Sequence, residues 1–163
     1  MKNCYSYDVI VVGGGVAGAS AALSAARAGV KTLLAESTYT LGGLATAGLV
    51  TFYLPLCDGN GTQLSRGIAE ELIKLSVSYG AEEPIPEEWL NYAPASERKS
   101  RYKARYNPNV FSILLEKLLI AEGVEILYGA TLSKVYKKGD KIDKIAVVTR
   151  SQTLVLRAKS FVE

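Results

Sequence analysis

The sequence predicts an α/β domain in which a parallel sheet with flanking helices is followed by a three-stranded antiparallel β-meander. A β-branched apolar run at residues 8–12 passes into strong helix formers at residues 16–28, which indicates a buried strand followed by a helix. Apolar runs at residues 31–35 and 124–129 predict two further parallel strands. Apolar and polar residues alternate, as in antiparallel strands, in residues 130–138, 141–150 and 153–159.

The predicted helices have recognisable ends. Gly29 follows the first helical run, at the position where a left-handed conformation favours glycine. Residues 67–79 place apolar side chains at approximately helical spacing and predict a second helix. An Asn-Pro pair at residues 107–108 precedes a third helical run at residues 110–121, which Gly123 ends.

Glycines are concentrated at the junction between the first strand and the first helix. Gly13, Gly15 and Gly18 form the pattern G-x-G-x-x-G. The first permits a tight turn, the second permits close approach of a pyrophosphate, and the third lets helix and strand pack closely. Free N–H groups and the helix dipole attract the phosphates, the dipole by about 0.3 to 1 kcal/mol per charge. We expect the pyrophosphate to lie against Gly13, Gly14, Gly15, Val16, Ala17 and Gly18.

An acidic residue, Glu36, ends the second predicted strand. A carboxylate at this place accepts hydrogen bonds from both hydroxyls of an adenosine ribose and repels a 2′-phosphate, which favours NAD or FAD over NADP. We expect Glu36 and its neighbour Ser37 to bind this end of the cofactor. Together these features predict a Rossmann-like dinucleotide-binding domain. The alternative is a glycine-rich turn that lies beside a surface glutamate and binds no nucleotide.

A second glycine pair, Gly42-Gly43, follows Glu36 after five residues, and the chain stays small and glycine-rich through Gly48. Backbone of this kind can lie against an extended ligand where side chains would clash. With this pair the sequence resembles the FAD-binding domain of the glutathione-reductase-like superfamily of flavoproteins. The resemblance implies FAD as cofactor, with Gly42, Gly43, Leu44 and Ala45 beside the flavin end.

Within that superfamily the sequence is most similar to the oxidoreductases that include the flavoprotein subunit of heterodisulfide reductase. The similarity continues through residues 56–81 and 101–136. It implies that the backbone at Leu132 meets the adenine. Disulfide reductases of the superfamily carry a redox cysteine pair after the second glycine pair, whereas this chain has Leu-Ala-Thr-Ala-Gly there, so we expect no chemistry of that type.

The amino-acid composition argues against several classes of function. The chain of 163 residues has 48% hydrophobic and 21% charged residues and a net charge of +3, as expected for one globular domain without a nucleic-acid or membrane partner. With no histidine, and with Cys4 and Cys57 isolated, no metal or iron–sulfur site is expected. No signal peptide or transmembrane run is recognisable, and we expect a cytoplasmic location.

The whole chain, residues 1–163, is predicted to be a single incomplete FAD-binding domain. Its core spans residues 5–50 and 107–163, and residues 51–106 form a helical and loop excursion. Basic residues in this excursion alternate with two tyrosines and form either a solvated loop or a binding site for an anion. They are Arg98, Lys99, Arg101, Lys103 and Arg105, with Tyr102 and Tyr106.

The expected function is that of the FAD-binding N-terminal part of an FAD-dependent oxidoreductase. In the resembled family, a later glycine-containing segment with an acidic residue holds the ribityl chain, and further portions supply the substrate cap. We therefore expect a missing portion, or a partner chain, which in some relatives carries iron–sulfur clusters, and an inactive isolated chain. One alternative is a noncatalytic nucleotide-binding module or an apo fragment that needs a partner chain, and the other is an NAD-binding domain. No acid, base or nucleophile is identified.

Overall fold

In the computed structural model, the described residues are 5–53, 64, 66–79 and 104–163. The α-helices are α1 (Val16–Arg27), α2 (Ile68–Val77) and α3 (Pro108–Ala121), and Gly43–Ala45 form a short 3-10 helix. The strands are β1 (Tyr5–Val12), β2 (Thr32–Ala35), β3 (Phe52–Tyr53), β4 (Ala104–Arg105), β5 (Glu125–Leu127), β6 (Thr131–Lys138), β7 (Lys141–Val148) and β8 (Thr153–Val162).

The main sheet of the described residues has six strands, in the order β5-β2-β1-β8-β7-β6. Strands β5, β2, β1 and β8 are mutually parallel, and β8, β7 and β6 are antiparallel. This arrangement confirms the predicted parallel sheet with its antiparallel meander. Because β1 and β2 lie side by side, the turn after β1 and the residues after β2 meet at the same edge of the sheet.

The central parallel strands are buried on both faces, at Ile10 and Val11 of β1 and throughout β2, which explains their continuous apolar runs. Successive residues of a strand point to opposite faces, so Val11 and Leu34 pack with the helices while Ile10 and Leu33 pack with the meander. On the helical face, Phe111, Leu115 and Leu119 of α3 are fully buried, as is Leu23 of α1.

An ion-pair network joins the ends of the three helices. The Arg27 guanidinium, at the end of α1, lies 2.7 Å from a Glu71 carboxylate oxygen in α2 and 2.7 Å from one of Glu122, just after α3. These groups are about one-third exposed, so water screens much of the attraction. The network lies at the C-terminal end of α1, opposite the glycine turn.

Several predicted bounds need correction, in each case because of tertiary pairing or local caps. Strand β1 starts at Tyr5 rather than residue 8, because its first residues pair with β8. The side chain of Asn107 accepts hydrogen bonds from the N–H groups of Asn109 and Val110, so α3 begins at Pro108. Strand β5 ends at Leu127, before a turn.

The last predicted strand also differs. It was predicted at residues 153–159, but β8 runs continuously through Val162. Its first part pairs antiparallel with β7 as far as Leu156, and from Leu156 onward it pairs parallel with β1. A strand of 10 residues is long enough to pair with β7 in its first part and with β1 in its second part. The meander and the parallel sheet are therefore one continuous sheet.

The excursion is described only in part. Helix α2 confirms the predicted helix at residues 67–79, with bounds Ile68–Val77, and β3 pairs with β4 in a separate antiparallel ladder. Cys4, Cys57 and most of the basic segment, namely Arg98, Lys99, Arg101, Tyr102 and Lys103, lie outside the described residues.

Candidate nucleotide-binding site

The glycine turn links the end of β1 to the N-terminus of α1 and is tied to β2. The N–H of Gly13 donates to the Ala35 carbonyl oxygen at 2.8 Å, and its φ of 99° lies in the left-handed region that favours glycine. Gly15 is the N-cap residue of α1, and the first helical turn contains no acidic side chain. The N–H groups of Val16 and Ala17, in that first turn, have no acceptor within the helix. The turn therefore presents backbone donors and a positive helix end together, which suits an anionic group.

Gly15 and Gly18 have different surroundings. A Cβ added to Gly15 would meet no atom within 4 Å, whereas one added to Gly18 would overlap the carbonyl oxygen of Gly13. The space beside Gly15 is therefore open to a ligand, and Gly18 is required for contact between α1 and the turn. This open space adjoins the N-terminus of α1, where backbone N–H groups favour an anion.

Glu36 is held against the glycine turn. Its Oε2 accepts a hydrogen bond from the N–H of Gly14 at 2.6 Å, and its Oε1 accepts from the N–H of Thr38 at 2.6 Å and the hydroxyl of Ser37 at 3.1 Å. The residue is only 8% exposed. The carboxylate thus has a fixed position beside the phosphate space, as a ribose ligand requires.

Gly14 contributes differently from the other glycines. Its N–H is engaged with Glu36, and an added Cβ would come 2.6 Å from Cδ2 of Leu41. Its place in the predicted pyrophosphate site stays a prediction. Thr38 was not among the predicted site residues. Its 2.6 Å contact with Glu36 is made by its backbone N–H, which every residue except proline carries, so the residue type gave no signal.

The electrostatic state of Glu36 follows from these contacts. Burial alone raises the pKa of the carboxyl group. Hydrogen bonds from the N–H groups of Thr38 and Gly14, and from the hydroxyls of Thr38 and Ser37, outweigh burial and hold the pKa below its ordinary value. The side chain is therefore a carboxylate at neutral pH.

This lowered pKa predicts a pH-dependent stability. The carboxylate stabilises the fold above its ordinary pKa of 4.5, and the stabilisation is lost as pH falls through the lower value of the folded state. Glu36→Gln should lower the free energy of unfolding at neutral pH by about 1.5 to 3 kcal/mol, the range for a charge-assisted hydrogen bond. Urea unfolding at a series of pH values should show this difference shrinking in acid. Asp140→Asn, in the exposed turn between β6 and β7, is the control, and a difference independent of pH would contradict the prediction.

The second glycine pair lies directly against the first glycine turn. The N–H of Gly42 donates to the carbonyl oxygen of Gly14 at 2.8 Å, and Gly15 and Gly42 form a parallel bridge. A Cβ added to Gly43 would lie 3.1 Å from Cα of Gly15. Leu44, just beyond, is 68% exposed. The structure thus brings both glycine segments into one surface.

The turn between β5 and β6 meets the end of β2. The N–H of Ala130 donates to the Glu36 carbonyl oxygen at 2.9 Å, and that of Gly129 donates to the Thr38 carbonyl oxygen at 3.1 Å. Leu132, two residues further on, pairs with Val147 in the sheet. The expected adenine contact at Leu132 therefore lies on the Glu36 side of the site, and it stays a prediction.

Tyr106 does not belong to an exposed anion site. It is 3% exposed, and its hydroxyl lies 2.9 Å from the carbonyl oxygens of both Ala45 and Val50. The prediction of either a solvated loop or an anion site was therefore wrong for Tyr106. A run of basic residues is typical of a solvated segment, but tertiary packing buries this ring.

Other kinds of site receive no support in the described part of the chain. No group of three or more Cys, Asp or Glu side chains lies close enough to hold a metal ion there. Among the same residues, no helix is both long and apolar enough to cross a membrane.

Comparison with known proteins agrees with this geometry. Residues 8–163 match the family described as FAD dependent oxidoreductase. The thioredoxin reductase of Ureaplasma parvum serovar 3 is 27% identical over 121 residues, which cover 73% of this chain and 35% of that protein.

Solved structures show the same fold. A geranylgeranyl bacteriochlorophyll reductase-like protein from Thermoplasma acidophilum superposes with a TM-score of 0.66 and 23% identity, covering 98% of this chain and 39% of that chain. The glycerol-3-phosphate dehydrogenase of Bacillus halodurans, complexed with FAD, gives a TM-score of 0.60 at 18% identity, covering 96% and 33%. The chain thus spans between one third and two fifths of these proteins.

Proposed function

The chain belongs to the FAD-dependent oxidoreductase family, and from that premise we propose that it forms the part of such an enzyme that binds the ADP half of FAD. The observation that carries the proposal is the contact between Glu36 and Gly14, 2.6 Å long. It holds the carboxylate of Glu36, the proposed ribose ligand, next to the glycine turn and the open space at Gly15. A dinucleotide needs these two positions adjacent, because its ribose and pyrophosphate are joined.

Each part of the chain has a distinct task in this proposal. The first turn of α1 binds the pyrophosphate through backbone N–H groups. Glu36 accepts hydrogen bonds from the ribose hydroxyls, and Gly42 to Ala45 run beside the flavin end. FAD supplies the redox chemistry, and the protein binds and orients it.

The activity of the whole protein is also a proposal. We infer that substrate binding and the remaining flavin contacts come from further sequence or from a partner chain, since the chain spans about a third of its relatives. The closer relationship to heterodisulfide reductase subunits rests on residues 56–81 and 101–136 and remains a hypothesis. A cytoplasmic location likewise stays a prediction.

Titration with FAD, ADP and NAD tests the proposed function. We expect FAD and ADP to bind, NAD to bind more weakly, and Glu36→Ala to weaken FAD and ADP alike by on the order of 10- to 100-fold, as expected for loss of charge-assisted hydrogen bonds. Circular dichroism should confirm that the variant is folded. A preference for NAD would favour the NAD-binding alternative, and unchanged FAD affinity in Glu36→Ala would refute the assigned ribose site.

A further inference from the structure

The segment from Gly43 to Val50 is a compact loop that folds back on itself. The N–H of Gly48 donates to the Gly43 carbonyl oxygen at 3.0 Å, and that of Val50 donates to the Leu44 carbonyl oxygen at 3.1 Å. The two ends of the loop are thereby brought together. Its first residue touches the glycine turn, since a Cβ on Gly43 would lie 3.1 Å from Cα of Gly15.

The loop keeps an unfavourable backbone conformation and an exposed apolar surface. Leu49 has a φ of 58°, in the left-handed region that side chains disfavour. Such a residue persists only where its surroundings hold it. Leu44 and Leu49 are 68% and 72% exposed, so the loop presents apolar side chains outward. Something on the inner side must therefore hold the loop in place, and two groups do so. The first is the hydroxyl of buried Thr46, which donates to the Leu41 carbonyl oxygen at 2.6 Å.

The second group is Tyr106, which reaches the loop from outside it. Its hydroxyl lies 2.9 Å from the carbonyl oxygens of Ala45 and Val50, and a hydroxyl with one proton donates to both in a shared bond. Its ring packs edge to face on Phe111, with centroids 5.5 Å apart, and Phe111 is fully buried in the core. The hydroxyl thus connects both halves of the loop to the core through one rigid side chain.

We propose that Tyr106 is a positioning residue for the flavin: its hydroxyl holds the loop so that Leu44 and its neighbours form an apolar wall for the isoalloxazine ring. The inference rests on the proposed function. It assigns the exposed side of the loop, at Leu44 and Leu49, to the ring, whereas the proposed function puts the ADP half against Gly15 and Glu36. Loosening the loop should therefore weaken FAD and leave ADP unaffected.

The test is Tyr106→Phe in the full chain, with FAD and ADP affinities measured by calorimetry. The variant keeps the ring contact with Phe111 and removes only the hydroxyl. We expect FAD to bind about threefold to tenfold more weakly, the effect of one lost hydrogen bond, with ADP within about twofold of its original affinity. Amide hydrogen exchange should become faster at Gly48, Leu49 and Val50.

Tyr7→Phe is the matched control. Tyr7 is also buried, and its hydroxyl donates to Glu125 at 2.7 Å, at the opposite end of β1 from the glycine turn. We expect this variant to bind both ligands normally. Equal weakening of FAD and ADP by Tyr106→Phe, or a FAD-to-ADP affinity ratio that does not change, would overturn the positioning role.

A second variant covers the case in which Tyr106→Phe does not fold. Leu44→Ser changes an exposed side chain on the outer side of the loop and should also weaken FAD selectively. An unchanged ratio in Leu44→Ser overturns the apolar wall. If the original chain binds neither FAD nor ADP, the proposed function and the positioning inference both fail. If it binds both and the variants leave the FAD-to-ADP affinity ratio unchanged, only the positioning inference fails.

Discussion

Gly15→Val is expected to abolish measurable binding of FAD and ADP while leaving the fold intact. Gly15 has φ −64° and ψ 177°, a conformation that valine also adopts. A Cβ there meets no atom within 4 Å, so the protein itself tolerates the change. The added side chain instead fills the space beside the first turn of α1, where we place the pyrophosphate.

The expected loss is large because the phosphates are charged. Each hydrogen bond to a charged group contributes about 1.5 to 3 kcal/mol, so losing those from Val16 and Ala17 should weaken binding on the order of 100-fold or more. Calorimetry with FAD and ADP measures the effect, and thermal unfolding confirms the fold. FAD affinity within about threefold of the original chain would show that the phosphates lie elsewhere.

Gly18→Ala, in contrast to Gly15→Val, should cause a large loss of stability. The added methyl group would overlap the Gly13 carbonyl oxygen, so α1 must move away from the turn. Overpacking of this severity costs about 3 kcal/mol, which corresponds to a fall in melting temperature of about 6 to 12 °C for a chain of this size.

Gly15→Ala is the matched control for Gly18→Ala. It adds the same methyl group within the same glycine motif, but into open space, and should leave the melting temperature nearly unchanged. Equal melting temperatures for the two alanine variants would show that Gly18 is not needed for close packing of α1 on the turn.

The local features of the site were predictable from the sequence. Gly13, Gly15 and Gly18 act through their own backbone conformations or through neighbours a few residues away, and helical and strand periodicity depends on adjacent positions. The second glycine pair was expected beside the cofactor only because the resemblance covered it; the structure shows it against the first glycine turn. The strands and helices were predictable for the same local reason, with errors at their ends.

Long-range contacts could not be predicted in this way. The partnership of Gly14 with Glu36 spans 22 residues, and the hydroxyl of Tyr106 reaches a carbonyl oxygen 61 residues away. From the sequence, Tyr106 belonged to a charged and solvated segment. Nothing in its neighbours indicated that the ring would be buried beneath a glycine-rich loop.

The sequence by itself determined the strand–turn–helix unit, the acidic end of β2 and the alternation of the meander, because backbone dihedral preferences and side-chain periodicity are properties of short segments. Only the tertiary structure decided that β8 joins the meander to the parallel sheet, that Glu36 is held by the N–H of Gly14, and that the hydroxyl of Tyr106 lies against the carbonyl oxygens of Ala45 and Val50. Those contacts form between residues far apart in the chain, and they are selected by the packing of the whole core rather than by any local preference.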